Sequence, residues 1–359
     1  MDAKAMVGQR IKAARAAAGL SQRELARRVG VSNTAVHKYE KGEDMPGSEV
    51  LLRISRTLGV RMDYFFRPPA ALHVTVPSYR KKKSLSKKAE AALIAKVQDW
   101  LDRYVAVESL FPKETERKFD FPDGFPRKVS SYEDIESVAV MLREAWDIGM
   151  DPLGNIAELL EEKGIKVGMV EADDRFDALL LSADGSPVIA VREGIPGDRE
   201  RFSIAHELGH LVMEVEVLDE EKAANRFAGA FLVPRTVAYR ELGLKRSRLD
   251  FRELLLLKYK YGISMAAWIF RAKDLGIISE SVARGLFSAM KKLGWWGKEP
   301  GEQIPQEFPR RMERLVARAV AEELITVSRA AELLGLSVVE FRESWYKETL
   351  PRVPEPVRG

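Results

Sequence analysis

Residues 201–213 read RFSIAHELGHLVM, and this stretch contains the pattern HExxH between His206 and His210. The surrounding residues are helix formers without proline, and positions four apart lie on one face of a helix. The two imidazoles can therefore be aimed at one point, which supplies half of a tetrahedral zinc site. Glu207 lies beside them without being forced to bind the metal, as suits a general base that acts on water. The apolar neighbours predict that this helix is buried.

The third ligand must be a carboxylate, because no histidine follows His210 in the chain. Glu221 opens a second helix of apolar periodicity, and Asn225 lies four residues later on the same face. This spacing predicts that Glu221 binds the metal and that Asn225 hydrogen-bonds a ligand histidine. We expect Zn²⁺, with Mn²⁺ as an alternative. The competing carboxylates lie in the loop or at the helix edge, where a solvated charge is the plainer interpretation: Glu214, Glu216 and Glu220.

The sequence RERFSIAHELGH, followed by EKAANRFAGAFLVP, resembles the ImmA/IrrE family of zinc metallopeptidases. The resemblance implies a gluzincin-like active site in which Glu207 is catalytic, and it implies proteolysis of repressor proteins. One departure from the thermolysin pattern is that no downstream histidine is present to stabilise the oxyanion. Tyr239 and Arg240 are candidates for that role, although surface residues are the plainer interpretation of both.

Three short apolar runs precede the HExxH helix, at residues 165–170, 178–181 and 188–191, and Asp184-Gly185 forms a turn between the last two. Runs of this length bounded by turn residues predict a small sheet. In peptidases of the resembling family an edge strand holds the substrate backbone, so we expect that role for one strand of this sheet.

Residues 7–66 show five short helical patterns separated by glycine and capping residues. Ser21 and Glu24 have the spacing of a capping box, and Ser32 caps a third helix that stops at Gly42. Two helices joined by a tight turn form a helix-turn-helix. The sequence AAGLSQRELARRVGVSNTAVHKYEKG resembles the Cro/C1-type (XRE) family, which implies binding to a double-stranded DNA operator.

The resemblance makes residues 32–41 the recognition helix, whose exposed side chains are expected to face base edges. Gln22, on the preceding helix, is expected to contact phosphate. Arg15 and Glu40 match a structural ion pair of the family, so neither is expected to read DNA. An alternative is a protein-interaction module without a DNA site. The residues expected at the DNA are Gln22, Ser32, Asn33, Thr34 and Lys38.

Composition bounds the class of protein. The length of 359 residues suggests two or three domains, and the net charge of +4 allows nucleic-acid binding without demanding it. The absence of cysteine excludes disulfides and thiolate zinc ligands, and it fits a reducing cytoplasm. The sequence has neither a signal-peptide pattern nor an apolar run long enough to span a membrane, so no membrane partner is expected.

The predicted fold is mainly α with a small β-sheet (α+β). We expect a helix-turn-helix domain at 1–68, a linker and helical connector at 69–130, a peptidase core at 131–240 and a helical extension at 241–359. In that extension, residues 258–279 are left open as a second helix-turn-helix, a substrate platform or a dimer face. Residues 307–347 resemble a small helix-turn-helix, although a packing or dimerisation element is the plainer interpretation.

The sequence thus predicts a cytoplasmic DNA-binding regulator fused to a zinc metallopeptidase, whose partners are operator DNA, a repressor of the XRE type as substrate, and a second copy in a homodimer. The alternative is a regulator or antitoxin-like protein whose peptidase domain is non-catalytic.

Overall fold

The computed structural model describes residues 2–67, 72–76, 86–113, 116–172, 174 and 176–349. Most of the linker, predicted at residues 67–84 from Pro68, Pro69, Pro77 and the RKKK run at 80–83, lies outside these residues. The chain forms two compact units: residues 1–72, 94–116 and 310–359 make the first, and residues 73–93 and 117–309 make the second. The described fold is mainly α with a small β-sheet, as predicted. In the part of the chain that is described, no helix is long and apolar enough to cross a membrane.

The first unit begins with the predicted helix-turn-helix module. Its helices are α1 (Ala3–Ala17), α2 (Gln22–Val29), α3 (Asn33–Lys41) and α4 (Ser48–Leu58), followed by a 3₁₀ helix at Met62–Phe66. The capping box between Ser21 and Glu24 is confirmed, and the Ser32 side chain caps α3 by accepting from the Ala35 N–H. Apolar residues from all five helices share one core, which includes Ile11, Leu25, Val36, Ile54 and Phe65.

Four later helices complete this unit. They are α5 (Lys87–Glu108), of which the part from Ile94 onward belongs here, and α14 (Arg311–Ala321), α15 (Val327–Leu334) and α16 (Val338–Thr349). Arg10 of α1 pairs with Asp102 of α5 at 2.7 Å. Arg67 pairs with Glu332 of α15 at 2.6 Å. The structure therefore groups the connector helix and the end of the chain with the helix-turn-helix module, whereas the predicted boundaries separate them.

The second unit is built on a four-stranded sheet of order β1-β4-β5-β3. Its strands are β1 (Val74–Thr75), β3 (Lys166–Val170), β4 (Ala178–Ala183) and β5 (Ser186–Arg192). β4 and β5 form an antiparallel hairpin, β3 runs parallel to β5, and β1 runs antiparallel to β4. The three predicted strands and the turn are confirmed; Asp184 and Gly185 both take positive φ, at 46° and 88°. Strand β1 falls in the segment predicted to be a linker.

The rest of this unit is mainly helical. The helices are α6 (Tyr132–Ala145), α7 (Ile156–Glu162), α8 (Gly197–Val212), α9 (Glu220–Leu232), α10 (Arg235–Leu242), α11 (Phe251–Tyr261), α12 (Met265–Asp274) and α13 (Glu280–Lys292). A second, two-stranded sheet pairs β2 (Arg127–Val129) in parallel with β6 (Met213–Val215). The sequence patterns miss α10, β2 and β6. The sequence pattern at residues 134–150 predicts one continuous helix, whereas α6 ends at Ala145, because Asp147 and Gly149 take positive φ.

One core joins the sheet, α8, α9 and the later helices α11 to α13. The apolar faces of these helices are buried against each other in this core. Residues 241–309 therefore fold with the predicted peptidase core, and the boundary predicted at 240 does not separate two units.

Candidate metal centre

Helices α8 and α9 approach each other closely at the centre of the HExxH stretch. A Cβ atom on Gly209 would lie 2.8 Å from Cδ1 of Phe227, well inside ordinary van der Waals contact. The absence of a side chain at Gly209 thus lets the Phe227 ring lie directly against α8. Side chains from the two helices can then meet at one point.

The meeting point is formed by His206, His210 and Glu221. The two Nε2 atoms are 3.1 Å apart, and the Glu221 carboxylate oxygens lie 3.5 Å from Nε2 of His206 and 3.2 Å from Nε2 of His210. Ligands placed about 2.0–2.1 Å from a tetrahedral zinc ion are about 3.3–3.4 Å from one another. Two imidazoles and one carboxylate at this spacing therefore fit zinc. Within the described residues, this is the one group of three or more such side chains close enough to hold a metal ion.

Asn225 orients one of the histidines. Its Oδ1 lies 3.0 Å from Nδ1 of His206. An amide oxygen only accepts hydrogen bonds, so Nδ1 carries the ring proton and Nε2 keeps its lone pair for a metal. The spacing of four residues between Glu221 and Asn225 thus places the Glu221 carboxylate beside the two Nε2 atoms and the Asn225 amide behind the His206 ring.

Glu207 is almost entirely buried, and a backbone group holds its carboxylate in position. Its Oε2 accepts a hydrogen bond from the Leu180 N–H of β4 at 2.7 Å. The Arg192 N–H at the end of β5 donates to the Asp177 oxygen just before β4 at 2.8 Å, so the odd-numbered residues of β4 turn their backbone groups toward β5. The even-numbered residues therefore turn theirs to the outer edge of β4. The Glu207 carboxylate is thus in contact with a sheet edge.

The segment at residues 304–307 contacts the first turns of α8 and helps to fix them in place. The Gly197 N–H donates to the Ile304 oxygen at 3.0 Å, and Arg201 pairs with the Glu307 carboxylate. Glu200 lies beneath this segment and is fully buried. Burial raises the pKa of Glu200 to about 8, and the nearby Glu307 carboxylate adds to the rise.

The other candidates near the metal centre lie elsewhere. The competing carboxylates Glu214, Glu216 and Glu220 are outside the group that converges on the two histidines, and Glu216 pairs instead with Lys128 at 3.4 Å. Of the two oxyanion candidates, Tyr239 donates to the Leu275 oxygen at 3.4 Å, and Arg240 hydrogen-bonds Tyr261.

The outer face of α3 carries the predicted DNA-reading side chains. Ser32, Asn33, Thr34 and Lys38 are all exposed, whereas Val36 is buried in the module's core. The exposed arginines of α2, at positions 23, 27 and 28, give the module further positive charge.

Gln22 is held inside the module. Its Nε2 donates to Oε2 of Glu40 at 2.7 Å, and Glu40 also accepts from Arg15 at 2.5 and 3.0 Å. The expected pair of Arg15 and Glu40 is therefore present. The phosphate contact of Gln22 stays a prediction, and in this structure its amide group binds the ion pair instead.

Two family models match separate parts of the chain. Residues 11–65 match the helix-turn-helix model, and residues 161–273 match the IrrE N-terminal-like domain, a model of the M78 peptidases. The second match contains the HExxH pattern, Glu221 and Asn225. The protein thus joins a helix-turn-helix domain to an IrrE N-terminal-like domain, which confirms both resemblances.

Curated relatives match over short stretches. An uncharacterized transcriptional regulator in the ATPase CF(0) region of Rhodospirillum rubrum is 45% identical over 62 residues, which is 17% of this chain and 57% of that protein. An uncharacterized HTH-type transcriptional regulator of Sinorhizobium fredii is 44% identical over 62 residues, 17% of this chain and 43% of the relative. Repressor protein C2 of Salmonella phage P22 is 37% identical over 62 residues, again 17% of this chain and 29% of the repressor. The chain thus spans less than two thirds of each relative's length.

Proposed function

We propose that this protein is a DNA-binding transcriptional regulator with a zinc-dependent metallopeptidase domain that hydrolyses peptide bonds in a repressor protein. The observation that carries the proposal is the convergence of His206, His210 and Glu221 beside a buried Glu207. A purely structural metal site has no use for a buried carboxylate at this position, so Glu207 favours catalysis over a non-catalytic domain.

His206, His210 and Glu221 are the residues that would hold zinc, and Asn225 would keep His206 in the tautomer that binds it. When bound, the ion polarises the scissile carbonyl group and lowers the pKa of water at the site. The fit of the donor set supports this assignment, because two neutral imidazoles and one carboxylate leave the fourth position of a tetrahedron for water or substrate.

Glu207 is the proposed general base and acid. Its carboxylate takes the proton from the attacking water and delivers that proton to the departing amine. The hydrogen bond from the Leu180 N–H fixes the orientation of the carboxylate, so no rotamer search is needed before proton transfer. The outward carbonyl of Leu180 lies on the same sheet edge and can accept from the backbone of an extended substrate.

The helix-turn-helix domain would place the peptidase at an operator. Asn33, Thr34 and Lys38 suit base-edge contacts in the major groove, where Asn pairs with adenine and Lys with guanine. The names of the similar regulators and of the phage repressor support this assignment. Tethering both activities in one chain raises the peptidase concentration near proteins bound at the same DNA to about millimolar. We therefore favour cleavage of an XRE-type repressor in trans.

The metal assignment is tested on three purified proteins. The wild type and Glu207→Gln should each carry about one zinc ion per chain, because Glu207 is not a ligand, whereas His206→Ala should lose most of its metal. Elemental analysis that finds equal zinc in all three proteins would contradict the assignment.

Catalysis is tested by incubating zinc-loaded wild type and Glu207→Gln with a repressor encoded by a neighbouring gene, followed by mapping of the products by mass spectrometry. Fragments formed only by the wild type support the proposal. Fragments of the chain itself that end within residues 67–84 would replace the trans substrate by a cis one. Metal-loaded protein that yields no Glu207-dependent fragment would favour the alternative, a regulator whose peptidase domain is non-catalytic.

A further inference from the structure

The sheet edge beside Glu207 is partly covered by the protein's own chain. Strand β1 runs antiparallel to β4, with Val74 opposite Ala183 and Thr75 opposite Ser182. The Asp184 N–H donates to the His73 oxygen at 3.3 Å, and the His73 N–H donates to the Asp184 carboxylate at 3.2 Å. Ser182 and Asp184 thus turn their outward backbone groups toward β1.

Leu180 is the next even-numbered residue along this edge, and its N–H is the group that holds Glu207. Two residues of a strand span about 7 Å, so β1 ends about that distance along the edge from the position opposite Leu180. Among the described residues, β1 pairs with β4 only at Ser182 and Ala183. The edge is therefore covered at one end and free of ladder partners from the described chain at Leu180.

The chain direction of β1 determines which side of a bound substrate it would overlap. From Val74 to Thr75, β1 pairs with positions that descend from Ala183 to Ser182, so β1 points along the edge toward Leu180. A substrate bound antiparallel to β4 runs in the same direction. Its residues on the N-terminal side of the scissile bond would lie opposite Ser182 and Ala183, which is where β1 lies.

We propose that β1 is an intramolecular competitor for the substrate strand, which limits how many residues a substrate can place on the N-terminal side of the scissile bond. This inference rests on the proposed peptidase function. A bound substrate that extends past the position opposite Ser182 must displace β1, whereas a substrate that is short on this side need not.

The contacts of β1 are suited to displacement. Its ladder is two residues long, His73 and Thr75 are exposed, and the Thr75 hydroxyl reaches the Ser182 oxygen only at 3.5 Å. A longer substrate strand forms more ladder hydrogen bonds and can therefore replace β1. The covalent attachment of β1 opposes this exchange, because it holds the strand at a high effective concentration.

The test uses full-length protein that carries Glu207→Gln, so that bound peptides are not cut. Binding is measured to an array of overlapping 12-residue peptides that cover residues 1–68, an XRE-type sequence, and to versions of each peptide shortened from the N-terminus. Thr75→Pro removes a backbone donor that faces β4, since His73, two residues earlier, also faces β4. Thr75→Val is the matched control, because it keeps that donor and a β-branched side chain.

Thr75→Pro should raise the affinity for the full-length peptides about tenfold and leave the affinity for the shortened peptides unchanged. Thr75→Val should not show this rise. Equal binding by the two variants overturns the inference, as does an array that binds no peptide in any variant. Glu207-dependent cleavage in the wild-type background tests the proposed function separately, since peptide binding in this assay does not depend on turnover.

A reversible lock provides a second measurement. The chain has no cysteine, so Val74→Cys with Ala183→Cys creates a single pair of thiols on directly opposed residues, at a spacing a disulfide can bridge. In the Glu207→Gln background, oxidation should abolish binding of the full-length peptides, and a non-chelating reductant should restore it. Full binding by the oxidised protein would overturn the inference.

Discussion

The close contact between α8 and α9 predicts that one methyl group weakens the metal centre. In Gly209→Ala the new Cβ would lie 2.8 Å from Cδ1 of Phe227, whereas carbon atoms prefer about 3.5–4.0 Å. One helix must therefore move by about 0.7–1.2 Å, at an overpacking cost of about 1–3 kcal/mol. Alanine in place of glycine returns about 1 kcal/mol of helix propensity. The net loss in the free energy of unfolding should be about 0–2 kcal/mol without metal.

The same substitution should also lower the affinity for zinc. Metal–ligand distances tolerate deviations of only about 0.2 Å. Moving α9 shifts Glu221 relative to His206 and His210 on α8, so we expect zinc affinity to fall at least about tenfold.

Gly229→Ala is the matched control for this change. Gly229 lies on α9, and its added Cβ would meet only Cδ of Arg271 at 3.5 Å, an ordinary contact. This variant should gain about 1 kcal/mol in stability and keep its zinc affinity. Both variants are measured by urea unfolding with and without chelator and by zinc competition against a chromophoric chelator. If Gly209→Ala binds zinc as tightly as the wild type does, the close contact between α8 and α9 does not set the spacing of the three candidate ligands.

Three further predictions follow from other contacts. Asn225→Ala should lower zinc affinity about 10–100-fold by freeing the His206 ring, and Asn225→Asp should restore it; equal affinities in the same chelator competition would remove Asn225 from the site. Because burial raises the pKa of Glu200 to about 8 in the folded protein, its neutral form stabilises the fold at low pH and this contribution is lost as pH rises toward 8. Relative to Glu200→Gln, the free energy of unfolding of chelator-treated wild type should therefore fall by up to about 1.4 kcal/mol per pH unit between about pH 5 and 8. If the free energies of unfolding of the two proteins depend on pH in the same way, this prediction is wrong. Asn33→Ala and Lys38→Ala should each weaken the free energy of binding to an operator by about 1–3 kcal/mol, through the loss of contacts with particular bases. Footprinting with the full chain measures this change. A footprint that is unchanged in both variants would favour a protein-interaction module.

Local patterns determined much of the helix-turn-helix module and part of the metal centre. Capping by Ser21 and Ser32, the glycines that end helices, and the spacing of four residues from His206 to His210 are properties of a few consecutive residues. Such signals need no knowledge of distant chain, which is why the boundaries of α2 and α3 and the β4–β5 turn agree with prediction.

Only the tertiary structure decided which distant groups meet. The distance between Glu221 and the two histidines depends on the close packing of Phe227 against Gly209, and a glycine within a helix reads in sequence only as a weak helix former. The hydrogen bond from the Leu180 N–H to the Glu207 carboxylate forms because this N–H points away from β5. That direction is set by the register in which β4 pairs with β5. The grouping of α5 and the last helices with α1 likewise rests on contacts between residues far apart in the chain. Sequence periodicity shows that a face must be buried, but the partner that buries it is chosen by packing in three dimensions.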